Sequence, residues 1–184
     1  PTLFKAKLAE DLAHDTQRLT ELLNSQGPWD ADRDHKWQAL HKLLTQTHGK
    51  DKVLIFTQFA DTARYLAREA RKAGISHVAL ATGASADPYD IACRFSPKSN
   101  NKSVSKADEV RVLICTDVLS EGQNLQDSNV VVNFDLPWAI IRLIQRAGRV
   151  DRIGQRAEEI HCYSFLPADG VAQPTQLRSR TRPR

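Results

Sequence analysis

The sequence contains no methionine, few cysteines and no long apolar run. Its three cysteines, Cys93, Cys115 and Cys162, show no C-x-x-C spacing, which disfavours a disulfide or zinc framework and favours reduced cytosolic core residues. No apolar stretch approaches the roughly 18–20 residues that a membrane span needs. We therefore expect a cytoplasmic protein with no membrane partner and no bound metal. Since even an initiating methionine is missing, we expect the chain to be part of a longer protein.

The sequence also lacks a phosphate-binding loop of the G-x-x-x-x-G-K-[ST] type. Gly49-Lys50 comes nearest to it, but Asp51 stands where Ser or Thr is required. A self-sufficient nucleoside triphosphatase of that type is therefore excluded.

Net charge is a weak guide to partners here. The chain carries 26 Lys plus Arg against 22 Asp plus Glu, a formal charge of +4. The arginines at 178, 180, 182 and 184 account for the whole excess, so residues 1–170 sum to zero. A basic balance usually suggests a nucleic-acid partner, but in this chain the position of the charge must decide.

Apolar periodicity divides the chain into three regions. Residues 1–49 form a helical lead-in, with amphipathic helices predicted over 6–25 and 32–48. Residues 50–167 alternate short apolar runs with helical patterns, and this alternation favours a parallel sheet covered on both faces, a three-layer α/β/α fold. The predicted strands are 53–56, 77–81, 110–115, 129–134 and 159–165, and the predicted helices begin near Asp61 and cover 88–95 and 138–150.

Two polar segments are expected to lack fixed structure. Residues 96–108 read as a mobile loop. The basic tail, residues 168–184, contains Pro174 and Pro183 and shows no apolar period, so we predict that it is disordered.

The most unusual segment runs from Gln145 to Gln155. Together with its flanks it holds five arginines against a single acid within fifteen residues. Arg149 and Arg152 are three residues apart, so on a helical turn both guanidinium groups would project to one side, an arrangement that suits a polyphosphate. A solvated basic helix end is an equally good interpretation of the charge alone.

Two further positions are ambiguous on their own. Asp117 follows an apolar strand, as does the Mg²⁺-binding Asp of many ATPases, but it could equally be a helix N-cap. Gly122 could allow a close backbone approach to a ligand, or it could be a plain loop glycine.

Taken together, these segments resemble the second RecA-like lobe of superfamily 2 helicases, most closely the Swi/Snf-like branch and its bacterial HepA/RapA-type relatives, which are DNA-dependent ATPases. Lys52–Phe59 looks like helicase motif IV, Val112–Gln126 like motif V and Gln145–Gln155 like motif VI. The resemblance covers residues 50–167 and implies a P-loop NTPase-type parallel sheet without a Walker A loop.

The resemblance implies roles at an ATP site shared between two lobes. Arg149 and Arg152 would reach the γ-phosphate of ATP held by the first lobe, with Arg152 as the arginine finger. Gln145 would support that site. Gly122 and Asn124 match positions near the nucleotide. The Mg²⁺ would be held mainly by the first lobe, so this chain alone is expected to be inactive.

The resemblance also implies a nucleic-acid partner. Thr57, Gln58 and Thr116 match positions that face the phosphate backbone, and branch members track along duplex DNA. The other implied partner is the first RecA-like lobe of the same parent chain. A bacterial-type protein of this kind would be nucleoid-associated.

The sequence leaves a competing function open. A non-catalytic nucleic-acid or protein-docking module could retain the same RecA-like shell. The choice between DNA and RNA, and between transcription recycling, remodelling and defence, is also open.

Overall fold

The computed structural model describes residues 7–27, 29–119, 123–137, 139–165 and, by their backbone, 177–183. The chain divides into two compact units, Pro1–Asp34 and His35–Arg184. In the first unit, helix α1 spans Leu8–Gln26 and ends at Gly27, whose φ of 70° is readily adopted only by glycine. A short 3-10 turn, Ala31–Arg33, follows. The predicted helix over 6–25 therefore forms, within two residues at each end.

The second unit begins with α2, His35–Lys42, which continues into a π-helical turn, Leu43–Thr47. Leu40 and Leu44 are fully buried. The peptide oxygen of His48 accepts a hydrogen bond from Nη1 of Arg111 at 3.1 Å. These contacts explain why the compact unit starts before the predicted boundary at residue 50.

A single six-stranded sheet forms the centre of this unit, in the order β2-β3-β1-β4-β5-β6. The first five strands are parallel, as the uniformly apolar runs predict, and β6 pairs antiparallel with β5 at one edge. The strands are β1 Val53–Phe56, β2 Val78–Ala81, β3 Val112–Cys115, β4 Val130–Asn133, β5 Glu159–Phe165 and β6 Leu177–Pro183.

Every residue of β1, β3 and β4 is buried, which is the expected state of central strands in a sheet covered on both faces. Helices α3, Ala60–Lys72, and α4, Pro88–Phe95, bury small and apolar side chains. Asp87 caps α4 by accepting a hydrogen bond from the N–H of Asp90 at 2.9 Å. Each fully buried Leu, Ile or Phe of this core stabilises the fold by about 1.5–3 kcal/mol. The α/β fold class is therefore confirmed.

The last helix, α5, is shorter than predicted. It spans Ile140–Ala147, whereas the apolar pattern predicts a helix over 138–150. The N–H groups of Val150 and Asp151 both donate to the carbonyl of Ala147, so a tight turn replaces the next helical turn. The segment from Gly148 onward therefore leaves the helix axis.

Two predictions of missing structure differ from what is found. Residues 177–183 of the tail form β6, because ladder hydrogen bonds join backbone groups and need no apolar periodicity. The first half of the loop 96–108 is anchored, since the Asp127 carboxylate accepts hydrogen bonds from the N–H groups of Lys98 and Ser99 at 2.8 and 2.9 Å. Among the described residues, no helix has the length and apolar character to cross a bilayer.

Candidate functional site

The candidate site is assembled where β1, β3 and β4 end. Phe56 is paired with Cys115 on one side and with Asn133 on the other, so the residues that follow these three strands meet at one place. We call this the carboxyl edge of the sheet. Parallel α/β proteins usually bind ligands just outside such an edge.

Asp135, which follows β4, organises the turn after β1. Its carboxylate accepts hydrogen bonds from the hydroxyl of Thr57 and from the N–H of Gln58, the latter at 2.9 Å to both oxygens. The side-chain amide of Gln58 donates to the carbonyl of Leu136 at 2.9 Å. Thr57 is fully buried as a result, whereas Gln58 is half-buried. The hydroxyl of Thr57 thus supports the turn from within.

Thr116 and Asp117 follow β3 at the same edge. The N–H of Thr116 donates to the carbonyl of Ala81 at 3.1 Å, and its side chain is half-buried. The Asp117 carboxylate accepts from Nη1 of Arg142 at 3.0 Å and from Nε of Arg146 at 2.8 Å. It therefore anchors α5, and Asp117 itself is the first residue of a 3-10 turn, Asp117–Leu119. No group of three or more His, Cys, Asp or Glu in the described part of the chain could hold a metal ion.

Arg146 is the residue that sequence reasoning missed. It has the largest fully buried side chain in the described part of the chain, and it is the only buried residue of α5. Besides Asp117, its Nη1 donates to Oδ1 of Asn133 at 3.2 Å and to the carbonyl of Asp135 at 3.4 Å. Its guanidinium lies 5.2 Å from the ring centroid of Phe56. One side chain thus contacts the ends of all three central strands.

A signal for this contact was present in the sequence. Arg142 and Arg146 are four residues apart, so a helix places both on the same face, towards an acid such as Asp117.

The thiol of Cys115, next to Arg146, is also buried away from water. Burial raises the pKa of Cys115, and this outweighs the opposite effect of the Arg146 guanidinium. The thiol is therefore neutral at physiological pH.

Arg149 and Arg152 lie on the turns that follow α5, and both are half-buried. Nε of Arg152 donates to the carbonyl of Gly148 at 3.2 Å, and its Nη1 donates to Oδ1 of Asn124 at 2.8 Å. The carbonyl of Arg149 accepts from the N–H of Leu125 at 3.3 Å. The structure therefore brings the arginine segment and the segment after β3 into direct contact.

Asn124 is held from both sides. Its carbonyl accepts a hydrogen bond from Nδ2 of Asn100 at 2.8 Å, and its own Nδ2 donates to the carbonyl of Ser99 at 3.4 Å. The anchored loop thus fixes the partner of Arg152. Gln145 lies exposed on α5, and Gly122 lies outside the described residues.

The helicase conserved C-terminal domain family matches residues 35–154, which include the whole of this site. The chain belongs to this family. The predicted resemblance to the second lobe of superfamily 2 helicases is thereby confirmed. The parallel sheet of the structure agrees with the predicted RecA-like lobe.

Curated relatives of this helicase domain include an uncharacterized ATP-dependent helicase, YqhH of Bacillus subtilis, which is 37% identical over 123 residues. The match covers 67% of this chain and 20% of the relative. The RNA polymerase-associated protein RapA of Proteus mirabilis is 34% identical over 151 residues, which cover 82% of this chain and 14% of RapA. The chain thus spans a fifth or less of the length of these relatives.

A solved structure supports the fold. The C-terminal part of the Fun30 ATPase domain matches 86% of this chain with a TM-score of 0.62 and 20% sequence identity, and the match covers 50% of that chain.

A cavity of about 520 Å³ lies away from the carboxyl edge of the helicase domain. Its lining includes Lys52 and Asn129, which immediately precede β1 and β4. The sequence-predicted residues of the carboxyl edge do not line it.

Proposed function

We propose that this chain is the second motor lobe of an ATP-dependent nucleic-acid translocase or helicase of the Swi/Snf-like type. The observation that carries the proposal is the hydrogen bond between Arg152 and Asn124, 2.8 Å long, which joins the arginine segment to the segment after β3. A second hydrogen bond, to the carbonyl of Gly148, also orients this guanidinium, which belongs to the segment that the family resemblance assigns to the phosphate contact.

The proposed role of the arginines follows from their chemistry. A guanidinium keeps its charge at all physiological pH values and offers paired donors to phosphate oxygens. Bound ATP would supply the phosphoryl group that is transferred to water. Arg152 and Arg149 would stabilise the negative charge on that group, and a side chain already held by Asn124 loses little entropy in doing so.

The chain cannot hold ATP and Mg²⁺ by itself in the usual way. Gly49-Lys50-Asp51 is not a phosphate loop, and the described residues offer no metal-binding cluster. We therefore assign the triphosphate and Mg²⁺ mainly to the first lobe of the same parent protein. The isolated chain is then inactive.

For the nucleic acid we propose backbone contacts by Gln58 and Thr116, which are half-buried at the carboxyl edge. Thr57 would act indirectly, because its buried hydroxyl supports the turn through Asp135. Such contacts are independent of sequence, as movement along a duplex requires. Duplex DNA is the proposed partner, and the cytoplasm is the proposed location.

The test uses the full-length parent protein and measures DNA-stimulated ATP hydrolysis. Arg152→Ala is expected to lower the stimulated kcat by about 10³–10⁵-fold while the melting temperature stays close to that of the parent. Arg156→Ala is the matched control, since Arg156 is exposed four residues further on and should be replaceable without loss.

Full activity of the Arg152→Ala variant would remove Arg152 from the ATP site. If alanine at both Arg149 and Arg152 left the function of the parent protein unchanged, the non-catalytic docking module would be the better description. Turnover by the isolated chain would contradict the shared site itself.

A further inference from the structure

The structure assigns Arg146 a positioning role: we propose that it couples the nucleic-acid contacts at the carboxyl edge to the arginine pair that faces ATP. This inference rests on the proposed function. It concerns a residue that contacts neither proposed ligand, since Arg146 is fully buried.

The argument begins with the contacts of the guanidinium. Its three bonds reach Asp117 after β3, Asn133 at the end of β4 and the carbonyl of Asp135. The carboxylate of the same Asp135 holds the turn that carries Gln58. We call Arg146 with Asp117, Asn133 and Asp135 the Arg146 clamp. Through it, both proposed DNA-contacting turns are linked to one side chain.

The other end of the argument is α5. No apolar side chain of this helix is buried: Ile140, Ile141 and Ile144 are 74%, 56% and 62% exposed. Leu143 and Ala147 are half-buried, so Arg146 is the one fully buried side chain through which α5 packs on the sheet. The turn that leads to Arg149 begins two residues after Arg146, so a displacement of the clamp moves the arginine pair directly.

Stability alone does not account for an arginine at this position. Taking a guanidinium out of water is costly, and well-packed apolar residues often replace a buried ion pair without loss of stability. The clamp is also not saturated, since Nη2 of Arg146 has no hydrogen-bond partner among the described residues. A buried guanidinium with a spare donor can exchange partners when a strand end shifts, as a coupling element must.

The experiment compares Arg146→Lys and Arg146→Met in the full-length parent protein. We expect the DNA-stimulated kcat to fall by about 10–100-fold, because DNA bound at the carboxyl edge would no longer bring the arginine pair into its catalytic position, and small misplacement of a catalytic group has effects of this size. The ATP hydrolysis rate without DNA, the KM for ATP and the Kd for DNA should each stay within about twofold of the parent values. Lysine keeps the charge but cannot bond to Asp117 and Asn133 together, so it separates the role of the fork from that of the charge.

Arg142→Ala is the matched control. Arg142 lies on the same helix and donates to the same Asp117 carboxylate, but its side chain is 54% exposed. The Arg142→Ala variant should keep its DNA-stimulated kcat within about twofold of the parent value. A lysine variant with parental stimulation and parental melting temperature would overturn the proposal.

Two further outcomes are decisive. If the Arg146 variants do not fold, Asp117→Asn tests the clamp, since it keeps the acceptor oxygen and removes the charge; parental stimulation in that variant would also overturn the proposal. If alanine at both Arg149 and Arg152 leaves the ATP hydrolysis of the parent protein unchanged, the proposed function fails, whereas loss of stimulation in the Arg146 variants with unstimulated hydrolysis intact supports the coupling role specifically.

Discussion

At the scale of single residues, Asp135 shows how an unremarkable acid can determine the shape of a site. It accepts hydrogen bonds from the hydroxyl of Thr57 and the N–H of Gln58, and its carbonyl accepts from Arg146. A hydrogen bond to a charged carboxylate is stronger than a hydrogen bond to a neutral acceptor. The turn after β1 therefore depends on a residue that lies 77 positions away in sequence.

We expect Asp135→Asn to lower the free energy of unfolding of this chain by about 1.5–3 kcal/mol, because hydrogen bonds to charged groups contribute about this much. Urea denaturation monitored by circular dichroism measures the change. Asp61→Asn is the control, since Asp61 is 96% exposed in a surface pair with Arg64 and its loss should leave the midpoint unchanged. Equal stability of the Asp135 variant would mean that the carboxylate charge contributes nothing to this turn.

At the scale of elements, α5 differs from an ordinary surface helix in which of its side chains are buried. Most amphipathic helices bury their apolar face, as α3 does with Ala63, Leu66 and Ala70. In α5 an arginine is buried and three isoleucines are exposed. Exposed apolar faces of this kind often mark surfaces that bind a partner, and the first lobe of the parent protein is the partner that we propose.

We predict that Ile144→Ala changes the free energy of unfolding of the chain by no more than about 0.5 kcal/mol, as is usual for exposed positions. Leu66→Ala, on the buried face of α3, should cost about 2–5 kcal/mol. Both values come from urea titrations under the same conditions. A cost for Ile144→Ala close to that of Leu66→Ala would show that the outer face of α5 packs within the chain.

At the scale of the whole molecule, the folded core belongs to the second unit. Every buried apolar side chain among the described residues lies at Trp37 or beyond. Helix α2 and the π-helical turn contribute Leu40, Leu43 and Leu44 to the buried set, although the apolar pattern assigns them to a lead-in.

We therefore expect residues 35–184 to unfold cooperatively with a melting temperature within a few degrees of the full chain. A chain that starts at residue 50 loses three buried leucines, each worth about 1.5–3 kcal/mol, out of a total stability that is commonly 5–15 kcal/mol. It should unfold far earlier or lose cooperativity. Differential scanning calorimetry of the two truncations decides the boundary, and equal melting temperatures would place α2 outside the folded unit.

The sequence alone determined the five parallel strands and their direction. Runs such as Val53–Phe56 and Val130–Val132 are apolar on both faces, which only a strand covered on both sides tolerates, and turn residues lie close to their ends. The order of three motifs indicated the family. These features are local, so a short window of sequence contains the physical information that produces them.

Only the tertiary structure decided what the individual polar side chains do. The burial of Thr57, the pairing of Arg146 with Asp117 and the fixing of Asn124 by the loop at Ser99 all depend on which segments become neighbours. Residues 177–183 form a strand through backbone pairing with β5, which no pattern of side chains predicts. Hydrogen bonds and desolvation act through space over a few ångströms, so the role of a charged residue is fixed by its neighbours in the fold and not by its neighbours in the sequence.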